Sequence, residues 1–160
     1  AKHAIYLNML SNPIVLTTNF GFLKGFKLST TISSKAMQIK FHAAFLLSSF
    51  GQIQLELLAG NQEGMRKLEV YHLKKLFVPD SSNIDVVTLS NINAEFDILA
   101  AKPSNFVGVE GVDGPRRKLD LAIATYLFSQ NQLDHSSVEE FTKAWVDKLT
   151  KIVLKRRPKK

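Results

Sequence analysis

The chain contains no cysteine, which excludes disulfides and thiolate metal sites and leaves the redox compartment unencoded. No run approaches the roughly 18 apolar residues that cross a bilayer. The opening AKHAIYLNML has too short an apolar stretch for a signal peptide, with no small-residue cleavage site after it. Histidine is scarce: His3, His42, His72 and His135 form no pair spaced three or four apart, so a metal site would have to be assembled from distant segments. Serines such as Ser48 and Ser49 have no adjacent histidine to activate them. Pro79-Asp80 supplies the first half of a common Mg²⁺-nuclease signature. The second half is an acidic residue two positions before a lysine, and no lysine in the sequence has one. These absences leave a cytoplasmic protein with no membrane partner as the expectation.

What is present is ordinary in amount and uneven in placement. The 160 residues are 45% hydrophobic and carry a net charge of +7, enough for one domain with a core plus a helical appendage. A basic balance favours a polyanionic partner. However, six of the positive charges sit in the last ten residues, KIVLKRRPKK, so the body of the chain is nearly neutral. Composition alone does not establish DNA binding.

Along the chain, AIYLNML (Ala4–Leu10), PIVLTTNF (Pro13–Phe20) and GFLKGFKLSTTIS (residues 21–33) read as two or three strands of a small sheet. Lys24 and Lys27 flank Gly25, which suggests a bend with exposed charge. From Lys35 to Ser49 the apolar spacing becomes helical and nearly all-round, predicting a buried helix that Gly51 breaks. A second short helix continues to Gly60-Asn61, and the polar loop GNQEGMRK follows. KLEVYHLKKLFVPD (Lys67–Asp80) then reads as a short amphipathic helix followed by a brief strand that the proline ends. Leu68, Tyr71 or His72, and Leu76 are expected inward, with Lys67, Lys74 and Lys75 in water.

Beyond Pro79 one helix is predicted at about Asn91 to Ala101. Another lies in DGPRRKLDLAIATYLF, with Asp113 near its N-cap and Pro115 in its first turn. The last helix is expected to begin with a capping box, Ser136 with Glu139 or Ser137 with Glu140. Val138, Phe141, Trp145, Leu149 and Ile152 form its apolar stripe. The expected architecture is α+β: a small N-terminal β-sheet packed with helices, followed by a helical C-terminal part. Residues 1–80 form an α/β part, 81–114 a connector with one helix, 115–157 a helical hairpin and 158–160 a basic tail.

AFLLSSFGQIQLELLAGN, the ordered series from Gly64 through Lys67, Tyr71, Lys74 and Lys75 to Pro79, RRKLDLAIATYLF and the final Glu- and Lys-rich helix together resemble the C-terminal target-recognition region of adenine-specific N6 DNA methyltransferases. The segment Leu76–Pro79 also resembles type I specificity subunits. The chain departs from the methyltransferase pattern in having fewer glycines in NQEGMR and Phe77 where a proline is usual. It also lacks the catalytic Asn-Pro-Pro-aromatic motif: Asn12-Pro13-Ile14-Val15 is the nearest match, without the second proline or the aromatic. No glycine-rich cofactor loop joins a strand to a helix.

The resemblance therefore implies a non-catalytic domain, either excised or a separate chain. It would hold no cofactor itself, and the parent enzyme would use S-adenosylmethionine. Its partners would be double-stranded DNA and a catalytic methyltransferase domain or subunit. Arg66, Lys67, Lys74 and Lys75 are the first candidates for DNA contact, and Lys24 and Lys27 the second. A rival reading is a protein-interaction module docking on a methyltransferase or restriction subunit.

Overall fold

The computed structural model describes residues 32–62, 65–67, 69–101, 114 and 116–156. They form α1 (Ile32–Leu47), α2 (Ser49–Leu58), a ribbon of β1 (Gly60–Gln62) and β2 (Met65–Lys67), α3 (Val70–Leu73), α4 (Val86–Ala100), α5 (Arg117–Gln130) and α6 (Val138–Arg156). The principal helix contacts close a ring: α1 packs on α4, α4 on α5, α5 on α6, α6 on α2, and α2 back on α1. Phe41 and Phe45 of α1, Phe50 of α2, Leu89 and Ile92 of α4, and Leu119 and Ile123 of α5 meet inside it. Two aromatic contacts pin the ring. Phe41 meets Tyr126 edge-on at 5.5 Å, and Phe50 lies parallel to Phe141 at 6.0 Å.

This corrects the expected α+β class. The described residues are helical, their core is helix on helix, and their β structure is one antiparallel ribbon pairing Gly60 with Lys67. Buried apolar faces of α1 and α2 find their partners in α4, α5 and α6, so no sheet layer is needed to cover them. The three N-terminal segments read as strands lie outside the described residues, except Ile32 and Ser33, which open α1. Among the described residues no helix is long and apolar enough to cross a membrane.

The break in the first helical run falls at Ser48, three residues before the expected glycine. Ser48 takes an extended conformation (φ −66°, ψ 165°) and caps α2, while its hydroxyl donates to the Phe45 carbonyl at 2.6 Å. Gly51 lies inside α2 for a different reason. A Cβ there would meet the backbone of α1, with Leu46 Cα at 2.6 Å and Leu46 O at 2.7 Å. Glycine at this position lets two successive helices approach.

Interrupting a helix in a core strands polar backbone groups, which must find partners. Here they do. Gln52 Nε2 donates to Leu46 O at 2.7 Å, and the Arg116 guanidinium donates to Leu47 O. Ser49 N donates to Asp120 Oδ1 at 2.7 Å, and Ser49 Oγ to Asp120 Oδ2 at 2.5 Å. Asp120 is 1% exposed. Burial raises its pKa to about 6, against the opposing pull of the Ser49 bonds and of Arg116 and Arg117.

Helix starts also differ from expectation. α4 begins at Val86, because the Asp85 carboxylate accepts from Thr88 N at 2.9 Å. At α6, Asp134 displaces the expected capping box. It accepts from Ser136 N at 2.9 Å and opens a 3₁₀ turn, His135–Ser137, ahead of the helix. Asp113 and Pro115 lie outside the described residues.

Two outcomes test this core. Gly51→Ala should destabilise the chain by about 1–3 kcal/mol, since backbone rather than a yielding side chain stands in the way. A shift in the urea midpoint measures it, and an unchanged midpoint would show that α1 and α2 are not this close. For Asp120 the pKa rises from 3.8 on folding, so the fold takes up a proton between the two values. The neutral acid's contribution is complete below the unfolded pKa and is lost as pH rises through about 6. Asp120→Asn stays neutral and should remove a loss of up to about 3 kcal/mol between acid and neutral pH. Comparison with the parent chain cancels His42, whose pKa burial shifts the other way.

Candidate nucleic-acid interface

The ribbon, α3 and the irregular segment to Asp80 project from the end of α2. In β2, Arg66 stands opposite Asn61 and Lys67 opposite Gly60. α3 is a single turn. His72 is buried, and its Nδ1 accepts from Glu69 N at 3.0 Å, fixing the turn's start. Tyr71 is half-exposed, its ring centroid 3.9 Å from that of His72. Lys74 and Lys75 follow, both exposed, and Lys75 Nζ lies 5.7 Å from the centre of the Tyr71 ring. Such a placement holds an ammonium group over an aromatic face without neutralising it.

The expected strand after α3 does not form. Residues 76–80 carry no ladder, yet 76–78 alternate. Leu76 and Val78 are half-buried, with Val78 against the core, while Phe77 between them is 84% exposed. A side chain supplies what a neighbouring strand would have given. Phe77 N donates to Gln54 Oε1 at 2.8 Å, and Gln54 Nε2 donates to Phe77 O at 3.0 Å. One amide group from α2 thus satisfies both backbone groups of one residue.

The far end of the segment is anchored on the ring. Tyr126 Oη of α5 donates to the Asp80 carbonyl. His42 of α1 donates from Nδ1 to Gln38 O at 2.7 Å. Burial holds the His42 pKa below the usual imidazole range, against the pull of the Gln38 and Pro79 carbonyls and the Asp80 carboxylate. The ring packs beneath Pro79-Asp80. Asp80 accepts from Ser82 N at 2.9 Å and Ser82 Oγ at 2.8 Å, and these bonds lower its pKa.

Of the residues singled out from sequence, the structure brings Lys74 and Lys75 together on one exposed turn beside Tyr71. It places the backbone of Arg66 and Lys67 on β2. Lys24, Lys27 and Leu68 lie outside the described residues. Sequence reasoning missed Gln54 and Phe77. The signal for Phe77 was available as an aromatic flanked by two apolar residues at alternate positions. Gln54 gave none, since its partner lies twenty-three residues away. Among the described residues no group of histidines and carboxylates could hold a metal ion.

A protein-family model described as "Restriction endonuclease BpuSI, specificity domain" matches residues 1–101. The chain belongs to this family. The match runs through α1, α2, the ribbon, the basic turn and α4, ending at the C-cap of α4, Ala101. Membership bears out the expected target-recognition region of a restriction–modification system. A specificity domain is the part of such an enzyme that selects a target rather than cutting it. No curated protein and no solved structure matches the chain.

The clamp makes a prediction of its own. Gln54→Ala removes both neutral hydrogen bonds to Phe77, each worth roughly 0.5–1.5 kcal/mol net. Hydrogen exchange at the Phe77 amide should accelerate while exchange in α5 stays unchanged. Undiminished protection at Phe77 would show that something other than Gln54 holds the segment.

Proposed function

We propose that this chain recognises the DNA target of a restriction–modification enzyme and performs no chemistry of its own. One observation carries the reading: a chain of the specificity-domain family presents Lys74 and Lys75 on an exposed turn, and the backbone that follows it is tied to the helical ring at Phe77 and Asp80. Lys74 and Lys75 contact phosphates, with Arg66 and Lys67 of the adjoining ribbon and then Lys24 and Lys27 extending the path. Phosphate contacts of this kind fix register on the duplex, while base edges and DNA shape carry the sequence information. The modifying activity belongs to a separate catalytic domain or subunit. The finer form of this reading is an adenine-specific methyltransferase parent using S-adenosylmethionine, working on cytoplasmic DNA. The resemblance of AFLLSSFGQIQLELLAGN and RRKLDLAIATYLF to those enzymes supports it.

Fluorescence anisotropy with a mixed-sequence duplex tests the proposal. If the four first candidates, Arg66, Lys67, Lys74 and Lys75, each neutralise a phosphate, the log–log salt slope is about −3.6. Lys74→Ala with Lys75→Ala should bring that slope to about −1.8, weakening binding similarly across sequences. A slope left unchanged would remove both lysines from the interface. A flat salt response in the parent chain, with tight binding to a catalytic subunit, would make this a protein-docking module instead.

A further inference from the structure

Phe77 is the most exposed large apolar side chain among the described residues, at 84%. Exposure of a single apolar residue is unremarkable by itself. Its setting is not, because the backbone beneath it is fixed by both bonds of the Gln54 amide and its neighbours Leu76 and Val78 turn inward. The ring is thus held out from a fixed base rather than left on a slack loop. Lys74 and Lys75 stand two and three residues before it, both exposed. A fully stretched chain covers at most about 3.6 Å per residue, which puts the Cα of Lys75 within about 7 Å of that of Phe77. Successive phosphates of one strand are about 3.4 Å apart along the helix axis. The backbone separation of lysine and ring is thus on the scale of about one or two base steps.

The other strongly exposed apolar residues lack this setting. Val86 and Val87, 70% and 79% exposed, occupy the first turn of α4 beside the Asp85 cap carboxylate, a poor place for DNA. Leu57, 65% exposed, lies on α2 itself and has no basic residue within three positions along the chain. The carboxylate nearest to Phe77 in sequence, Asp80, is engaged by the Ser82 amide and hydroxyl.

We propose that Phe77 enters the DNA base stack as an apolar wedge, seated by the Gln54 clamp, while Lys74 and Lys75 hold the flanking phosphates. This rests on the target-recognition reading and adds to it a means of discrimination. A wedge unstacks one step and kinks the duplex, so it favours steps that open readily, above all pyrimidine–purine steps. Part of the selectivity then comes from deformability, at a position where no hydrogen bond is made to a base.

The test uses the full chain and a closed circular plasmid relaxed by a topoisomerase in its presence, with topoisomers resolved after protein removal. The parent chain should lower the linking number as occupancy rises. At equal occupancy Phe77→Ala should abolish that change, with plasmid affinity weakened on the order of tenfold. Phe77→Leu, still an apolar wedge, should keep most of it. Circular dichroism melts should be the same for all three, since the side chain is exposed. If the parent chain binds plasmid without changing its linking number, or Phe77→Ala unwinds as well as the parent, the wedge is overturned and recognition through the lysines stands. Failure to bind plasmid at low salt would overturn both. A Phe77→Ala chain that still unwinds DNA but loses its catalytic subunit would assign the ring to a protein contact.

Discussion

A helix broken inside a hydrophobic core is the constraint on which the rest of this structure depends. Residues 32–58 carry apolar side chains around almost the whole circumference, so both halves of the run must be buried. The turn at Ser48 points α2 toward α6 while α1 stays on α4. Four side chains satisfy the backbone of the break: Ser48 and Gln52 from the run itself, and Arg116 and Asp120 from the start of α5. The polar side chains of α5 thus have a fixed address, and α5 is drawn to the junction by hydrogen bonds as well as by Leu119 and Ile123. Desolvating Asp120 is the cost of this arrangement, visible as its raised pKa.

The ring in turn gives the basic segment its rigidity. Pro79-Asp80 rests on His42 of α1 and Tyr126 of α5, and Phe77 is gripped from α2. Helices α1, α2 and α5 therefore hold the stretch from Phe77 to Asp80 between them, and the exposed lysines precede that held stretch. Interfaces that must be presented in one geometry gain from such preorganisation, because less ordering remains to be done on binding. The Lys40–Asp97 pair joining α1 and α4 contributes little by comparison, since both side chains are partly in water.

Much of the helical part was legible in the sequence, for physical reasons. α1 and α6 have apolar residues recurring at three and four, and that period survives whatever packs against it. α4 was placed five residues late because Val86 and Val87 are apolar yet exposed and so blur the pattern; its true start is set by the Asp85 cap. Gly51 was read as a breaker from propensity, whereas tertiary approach between α1 and α2 decides its role. β-branched composition suggested a sheet, but the described core is made by helices alone. At the interface, residue type sufficed to select Lys74 and Lys75. The Gln54–Phe77 pairing is a long-range contact between two residues that are individually unexceptional, and no local pattern encodes it.

The Gln54 clamp engages only main-chain atoms of residue 77, and this makes the position permissive. Almost any side chain could stand there without disturbing the hold, the exception being proline, which has no N–H for Gln54 Oε1. Proline is what the resembled methyltransferases usually carry at this point, so the clamp and the aromatic belong together in this chain. A scaffold that grips backbone and ignores side chain lets position 77 vary by single substitutions while the helices stay as they are. Target preference could then drift, or be engineered, one residue at a time.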